Sequence, residues 1–261
     1  MSATARLGRI AVLVSVGKHR VSAASCYSRN DALALEIGRR LARAHDAALD
    51  VLHAGDAADP ALQDYLALGA ERIEVLECRE GDDASEALAR RLRGTSLVLT
   101  GTRAEGAYDS GMLPYRLAAE LGYALIDSAL EIAIEGERAT VTQFMPKGVR
   151  RRVQAALPAV VAVHPQASAQ PRYAYARIPD GAIVPEAKPV RRDIEAAEWR
   201  VAPAQRKPMK LVAAEKRSGH ARMLMATTTE SRGGNVVIEG TSVEKAQVIL
   251  DYLREHRLVD Y

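Results

Sequence analysis

The chain has 261 residues and a net charge of +3, with no unbroken apolar run of about 18 residues. That leaves room for one large domain, or a domain plus an arm, and excludes a membrane-spanning helix. A charge this small, with one Phe (Phe144) and one Trp (Trp199), offers neither the basic surface nor the stacking platforms that nucleic-acid binding needs.

The N-terminus, MSATARLGR, runs straight into an apolar stretch, so no signal peptide is expected. IAVLVSV (10–16) reads as a buried strand. In 31–45 Leu33, Ile37, Leu41 and Ala44 recur at helical spacing, with Asp31 in the first turn, where a carboxylate favours the positive end of the helix dipole. Strands follow at 48–55, 72–77 and 96–101, alternating with helices at 60–70, ending at Gly69, and 84–93. A further helix covers 114–121 and stops at Gly122. This alternation predicts a doubly wound parallel α/β sheet.

From residue 128 the period changes. The turn Glu135-Gly136-Glu137 predicts an antiparallel hairpin, and VRRRVQAALPAVVAVH a further pair of strands. Residues 165–210 hold Pro171, Pro179, Pro185, Pro189, Pro203 and Pro208, the composition of an extended arm with little core of its own. The chain ends in an amphipathic helix, 242–256, with Val243, Ala246, Ile249, Leu250 and Leu253 on one face. The expected division is a nucleotide-binding α/β domain with hairpin extension, 1–165, and a C-terminal part, 166–261, whose helix packs on a partner subunit or back on its own domain.

The loop LVLTGTRAEGAYDSGMLP (97–114) lies where parallel α/β proteins bind ligands. It has no GxxxxGK[ST] and no GxGxxG, and Ser110 is not in a GxSxG elbow. Its small residues can offer backbone N–H groups to a phosphate at a helix start, or form a plain turn. His19, His45, His53, His164, His220 and His256 lack metal-ligand spacing, so no metal is expected. Cys26 and Cys78 read as free thiols of a reducing cytoplasm, and KGVRRRV (147–153) as a solvated hairpin face. With no catalytic machinery legible, a binding or carrier role is expected rather than an enzyme.

The order of these segments resembles the beta subunit of electron transfer flavoprotein. VLVSVGKHRV is similar to that family's first strand and turn, and SRNDALALEIGRRLA (28–42) to its first helix start. LALGAERIEVL (66–76) resembles its Ala-Met-Gly-Ala-Asp segment. The loop 97–114 with the helix ending in LGY resembles its Gly-Lys-Gln-Ala loop, and LPAVVAV and PRYA (171–174) its later strand and docking-loop start.

The resemblance implies an adenine-nucleotide-hydrolase-like fold and a bacterial cytoplasmic heterodimer. The alpha subunit would hold most of the FAD, and this chain AMP, or a second FAD in a bifurcating branch. Electrons would pass from a flavin-dependent dehydrogenase towards a membrane quinone oxidoreductase. By position, the nucleotide residues are Ser15, Ser28, Arg29, Asn30, Asp31, Ala54, Gly101, Thr102, Arg103, Ala104, Asp109, Ser110, Gly111 and Met112. The dehydrogenase-docking residues are Tyr175, Arg177, Ile178 and Ile183.

The chain departs from the pattern in places. Thr102-Arg103 replaces Lys-Gln, Asp109 is the loop's only aspartate, and Lys147-Gly148 and Arg151 stand near positions that are acidic in the family. Two other readings compete: a stand-alone adenine-nucleotide sensor, which leaves 165–261 unexplained, and a nucleotide hydrolase, which needs an SGGxDS-type loop that SVGKHRVSAAS does not supply.

Overall fold

The computed structural model describes residues 7–19, 21–79, 81–104, 110–186, 189–200, 240–255 and 258–259, with Gly219 and Met223. The chain forms two compact units, Met1–Trp199 and Arg200–Tyr261.

The centre of the first unit is β1 (Arg9–Val14), whose residues Ile10–Val14 are all buried. A short strand without polar alternation is covered on both faces, and so takes parallel neighbours on both sides. These are β4 (Ala48–Gly55) and β7 (Leu97–Gly101). A separate two-stranded ribbon, β2 (Val16–Lys18) with β3 (Ser25–Tyr27), follows β1. The expected strand 10–16 therefore breaks at Ser15.

The remaining sheet strands are β5 (Arg72–Glu77), β8 (Ala124–Glu135), β9 (Arg138–Phe144), β10 (Arg150–Ala156), β11 (Ala159–Val163) and β12 (Ala182–Glu186). With β1, β4 and β7 they form one nine-stranded sheet, ordered β10-β9-β8-β11-β7-β1-β4-β5-β12. It is parallel from β8 to β12 and antiparallel across β8-β9-β10. The hairpin at Gly136 is present as expected. The two strands after it separate, however: β10 takes the outer edge beside β9, while β11 runs between β8 and β7. Burial accounts for the difference. Every residue of AVVAV in β11 is buried, whereas RRRVQAA in β10 stays half-buried or exposed.

Four helices cover the two faces. On one face α1 (Arg29–His45) and α2 (Ala61–Ala67) pack Leu33, Ile37 and Tyr65 against Val12, Val51 and Leu99. On the other, α3 (Ser85–Leu92) and α4 (Leu113–Leu121) pack Leu88, Leu92 and Leu117 against Ala11, Leu13 and Val98. Successive residues of β1 thus serve opposite cores, as strand geometry requires, and the sheet is doubly wound. α4 ends as its sequence indicates, with Gly122 left-handed at φ 68°.

The segment after residue 165 also contributes to this unit. β12 pairs in parallel with β5, and Ile183 is half-buried against the core. Pro185, which cannot donate to a ladder, is tolerated because β12 is the edge strand. β6 (Asp82–Asp83) pairs with β13 (Arg191–Arg192), and α5 (Ile194–Glu198) follows.

In the second unit α6 (Ser242–Glu255) begins at a capping box. The Thr241 amide donates to Glu244 Oε2 at 2.7 Å and the Glu244 amide to Thr241 Oγ1 at 3.3 Å. No residue of α6 is buried, and Val243 and Ile249 of its apolar face are exposed. Pro203 and Pro208 lie outside the described residues.

Candidate functional site

The chain winds from β1 through β4 to β5, then returns across β1 to β7. The winding direction therefore reverses between β1 and β7, and the carboxyl ends of strands at such a point leave a crevice for ligands. Val14 pairs with His53, and Val12 with Leu99. In that register Ser15, Ala54 and Gly101 leave the sheet along one edge, close together.

Asp31 organises this edge. The amide of Ser15 donates to its Oδ2 at 2.8 Å, the Ser15 hydroxyl to the same oxygen at 2.5 Å, and the amide of Gly101 to Oδ1 at 2.8 Å. One buried carboxylate in the first turn of α1 thereby ties down the ends of β1 and β7. Burial pushes its pKa up to about 6, against the lowering effect of hydrogen bonds from Ser15, Gly101 and Ser28. α1 starts earlier than its apolar spacing indicates because Ser28 caps it, accepting from the Asp31 amide at 3.4 Å.

Gly101 is required where it stands. A Cβ there would overlap Asp31 Oδ1 and lie 2.8 Å from Asn30 Cβ.

Tyr65 is the residue that sequence reasoning missed. Its hydroxyl donates to the Ser15 carbonyl at 2.6 Å and accepts from the Ser28 amide at 2.9 Å, so it clamps the β1 end to the start of α1. On its helix it looks like one more apolar residue. The available signal was chemical: a tyrosine on a buried face needs a partner for its hydroxyl. Tyr65→Phe is expected to cost about 2 kcal/mol, because it leaves the buried Ser28 N–H unpaired. Urea unfolding of the full chain checks this.

On the far side of the crevice the loop after β7 folds back on itself. Gly111 is left-handed at φ 66°, and a Cβ on it would lie 2.9 Å from the Thr102 carbonyl oxygen. Residues 110–112 are therefore drawn onto 102–103. The Met112 amide donates to Ser110 Oγ at 3.3 Å at the start of α4. The Thr102 N–H continues the β7–β11 ladder at Val163, whereas the backbone N–H groups of Ala104 and Gly111 donate to no other described residue, nor do those of Arg29 and Asn30 in the first turn of α1. Unengaged amides at two helix starts form a setting for an anion. Arg29, Arg103 and Ser110 are exposed there, while Ala54 is half-buried at the end of β4. Asp109 lies outside the described residues, as do 105–108.

The residues expected to dock a dehydrogenase lie on other elements. Tyr175, Arg177 and Ile178 form a 3-10 turn, Tyr175–Asp180, which is held to α2. The Ala174 amide donates to the Ala67 carbonyl at 2.9 Å, and the Arg177 guanidinium to the same carbonyl at 3.2 Å. Tyr175 projects into solvent with Tyr173, their ring centroids 6.3 Å apart. Ile183 serves the sheet edge instead.

Two of the described histidines are built into the fold. His53 is buried with Nδ1 2.9 Å from the Val14 carbonyl oxygen, and His164 stacks on Phe144. His220 and His256 lie outside the described residues. Among the described residues no cluster of His, Cys, Asp or Glu is placed to hold a metal ion, and no helix is long and apolar enough to cross a membrane.

Comparison with known proteins agrees with this architecture. Residues 20–197 match the family model of the electron transfer flavoprotein domain. The chain is also 36% identical over 257 residues to the electron transfer flavoprotein subunit beta of Chromohalobacter salexigens, covering 96% of this chain and 95% of that one. The chain belongs to the electron transfer flavoprotein family and is of its beta-subunit type.

Proposed function

We propose that this chain pairs with an alpha subunit holding most of the FAD, buries AMP in the crevice between α1 and the β7–α4 loop, and works in the cytoplasm. There the pair would carry electrons from a flavin-dependent dehydrogenase towards a membrane quinone oxidoreductase. FAD, when bound, supplies the redox chemistry. An electron-transfer subunit of this kind is not an enzyme by itself, and its own residues bind and orient.

The observation that carries the nucleotide reading is the division of donors across the crevice. The Ser15 and Gly101 amides are engaged by Asp31, so the strand ends have no donor left for a phosphate, and the buried carboxylate beside the open amides of Arg29 and Asn30 disfavours an anion there; this side is left for the adenine end, with Ser28–Asp31 and Ala54 around it. The unengaged amides of Ala104 and Gly111, with Thr102, Arg103, Ser110 and Met112, are the fitting partners for phosphate oxygens. The buried negative charge of Asp31 and that of the phosphate are thus kept on opposite sides. The segment 172–178, fastened to α2 with Tyr175 outward, is the face offered to the dehydrogenase.

Co-expression with an alpha subunit is expected to yield a yellow heterodimer. Acid release and chromatography should then recover FAD and AMP, each at about one per heterodimer. A second FAD in place of AMP would revise the nucleotide. A stable monomer that ignores the alpha subunit, or that carries ATP and no flavin, would overturn the proposal.

A further inference from the structure

Away from the crevice, α1 turns Arg39, Arg40 and Arg43 towards Arg172 and Arg177 of the segment that follows β11. With Glu36 they line an open groove of about 470 Å3. Five guanidinium groups and one carboxylate leave the groove at +4, more than the +3 of the whole chain, although the chain has 33 acidic residues to place.

Two of the arginines are structural. Arg39 donates to Glu36 at 2.9 Å and to the Leu68 carbonyl at 3.4 Å, and Arg177 donates to the carbonyls of Ala67 and Arg172. Arg40, Arg43 and Arg172 are exposed, and none of them pairs with a carboxylate among the described residues. The last turn of a helix favours a cation, which accounts for Arg43. It does not account for Arg40 or for Arg172 on a separate segment.

A guanidinium fork suits planar oxyanions, carboxylate and phosphate alike. The surroundings choose between them. The exposed ring pair Tyr173 and Tyr175 lies on the same segment as Arg172, and arginine beside tyrosine is the composition of protein interfaces. We infer that this groove is a docking surface for an acidic segment of a partner protein, whose Asp and Glu side chains pair with Arg40, Arg43 and Arg172. The inference is independent of the nucleotide, since chain with an empty crevice presents the same groove.

Fluorescence anisotropy of a labelled hexaglutamate peptide titrated with the full chain tests it. Saturable binding is expected that weakens with added salt, with none for hexaglutamine. R40E/R43E should weaken binding about tenfold. R172E and the neutral R40Q/R43Q should each do so by a smaller factor, while R150E/R152E on β10 should leave it unchanged. Circular dichroism confirms that the variants fold. Absence of peptide binding, or equal binding by R40E/R43E, overturns the proposal. So does binding of inorganic tripolyphosphate through these arginines without binding of the peptide, which would make the groove a phosphate site.

Discussion

Asp31→Ala is expected to lower the unfolding free energy of the chain by about 4 kcal/mol at neutral pH. The carboxylate accepts the N–H groups of Ser15 and Gly101, which are the last links of β1 and β7 to α1. Alanine leaves both donors without a partner beside a core that is closed to water, at about 1–3 kcal/mol each, and removes the acceptor of the Ser15 hydroxyl. Asp31→Asn keeps the volume and one acceptor but turns an amide N–H towards a backbone donor, so a loss of about 2 kcal/mol is expected. Chemical denaturation of both variants measures this. Losses below about 1 kcal/mol in each would show that the three contacts do not hold the strand ends.

The same residue gives these variants a pH signature. The Asp31 pKa is about 6 folded, against 3.8 for the ordinary carboxyl, so the folded state holds the proton more tightly. The associated stability is fully present below about pH 3.8 and is lost as pH rises through about 6, amounting to about 3 kcal/mol. Asp83 works in the opposite sense. Burial would raise its pKa, but the Ser85 hydroxyl and amide and the Arg116 charge outweigh burial and hold it below the usual range. A wild-type profile mixes such groups, whereas the difference between wild type and Asp31→Asn isolates one. That difference is expected to be about 2 kcal/mol wider at about pH 4.5 than at about pH 7.5. A flat difference would mean that Asp31 is not buried in the manner described.

The interior of the sheet was legible in the sequence because its strands are continuous apolar runs that nothing else explains. IAVLV, LVL and AVVAV are buried along their whole lengths. β12 was not legible: AIVPE is half-buried at an edge and contains a proline, so neither alternation nor an apolar run marks it. The crevice shows the same division. Strand ends and helix starts follow from the element order, so Ser15, Gly101 and Asp31 could be named as neighbours. What Asp31 does there could not be read, because its partners lie 16 and 70 residues away and bond through backbone amides, which have no residue signature. Tyr65, 50 residues from the carbonyl to which it donates, was hidden for the same reason.

Ser110→Glu is expected to empty the crevice of nucleotide. Gly111 is the poorer position for this test: its left-handed backbone and the nearby Thr102 carbonyl penalise any side chain, so Gly111→Glu would confuse strain with charge. Ser110 is exposed at the start of α4, so a longer side chain there meets no strain; Glu and Gln both give up the Met112 amide's bond to Ser110 Oγ and differ from each other in charge alone. A carboxylate about 4 Å from a phosphate oxygen, at an effective dielectric of about 20, costs about 4 kcal/mol, close to a thousandfold in affinity. Ser110→Gln has nearly the same shape and should retain nucleotide. A ligand present at about a thousand times its Kd stabilises the folded state by about 4 kcal/mol. The Glu variant should therefore unfold like wild-type complex stripped of nucleotide, while Ser110→Gln unfolds like the loaded complex. Acid release from the purified heterodimers reads occupancy directly. Equal nucleotide content in Ser110→Glu and wild type would remove the β7–α4 loop from the phosphate site and return it to being a turn.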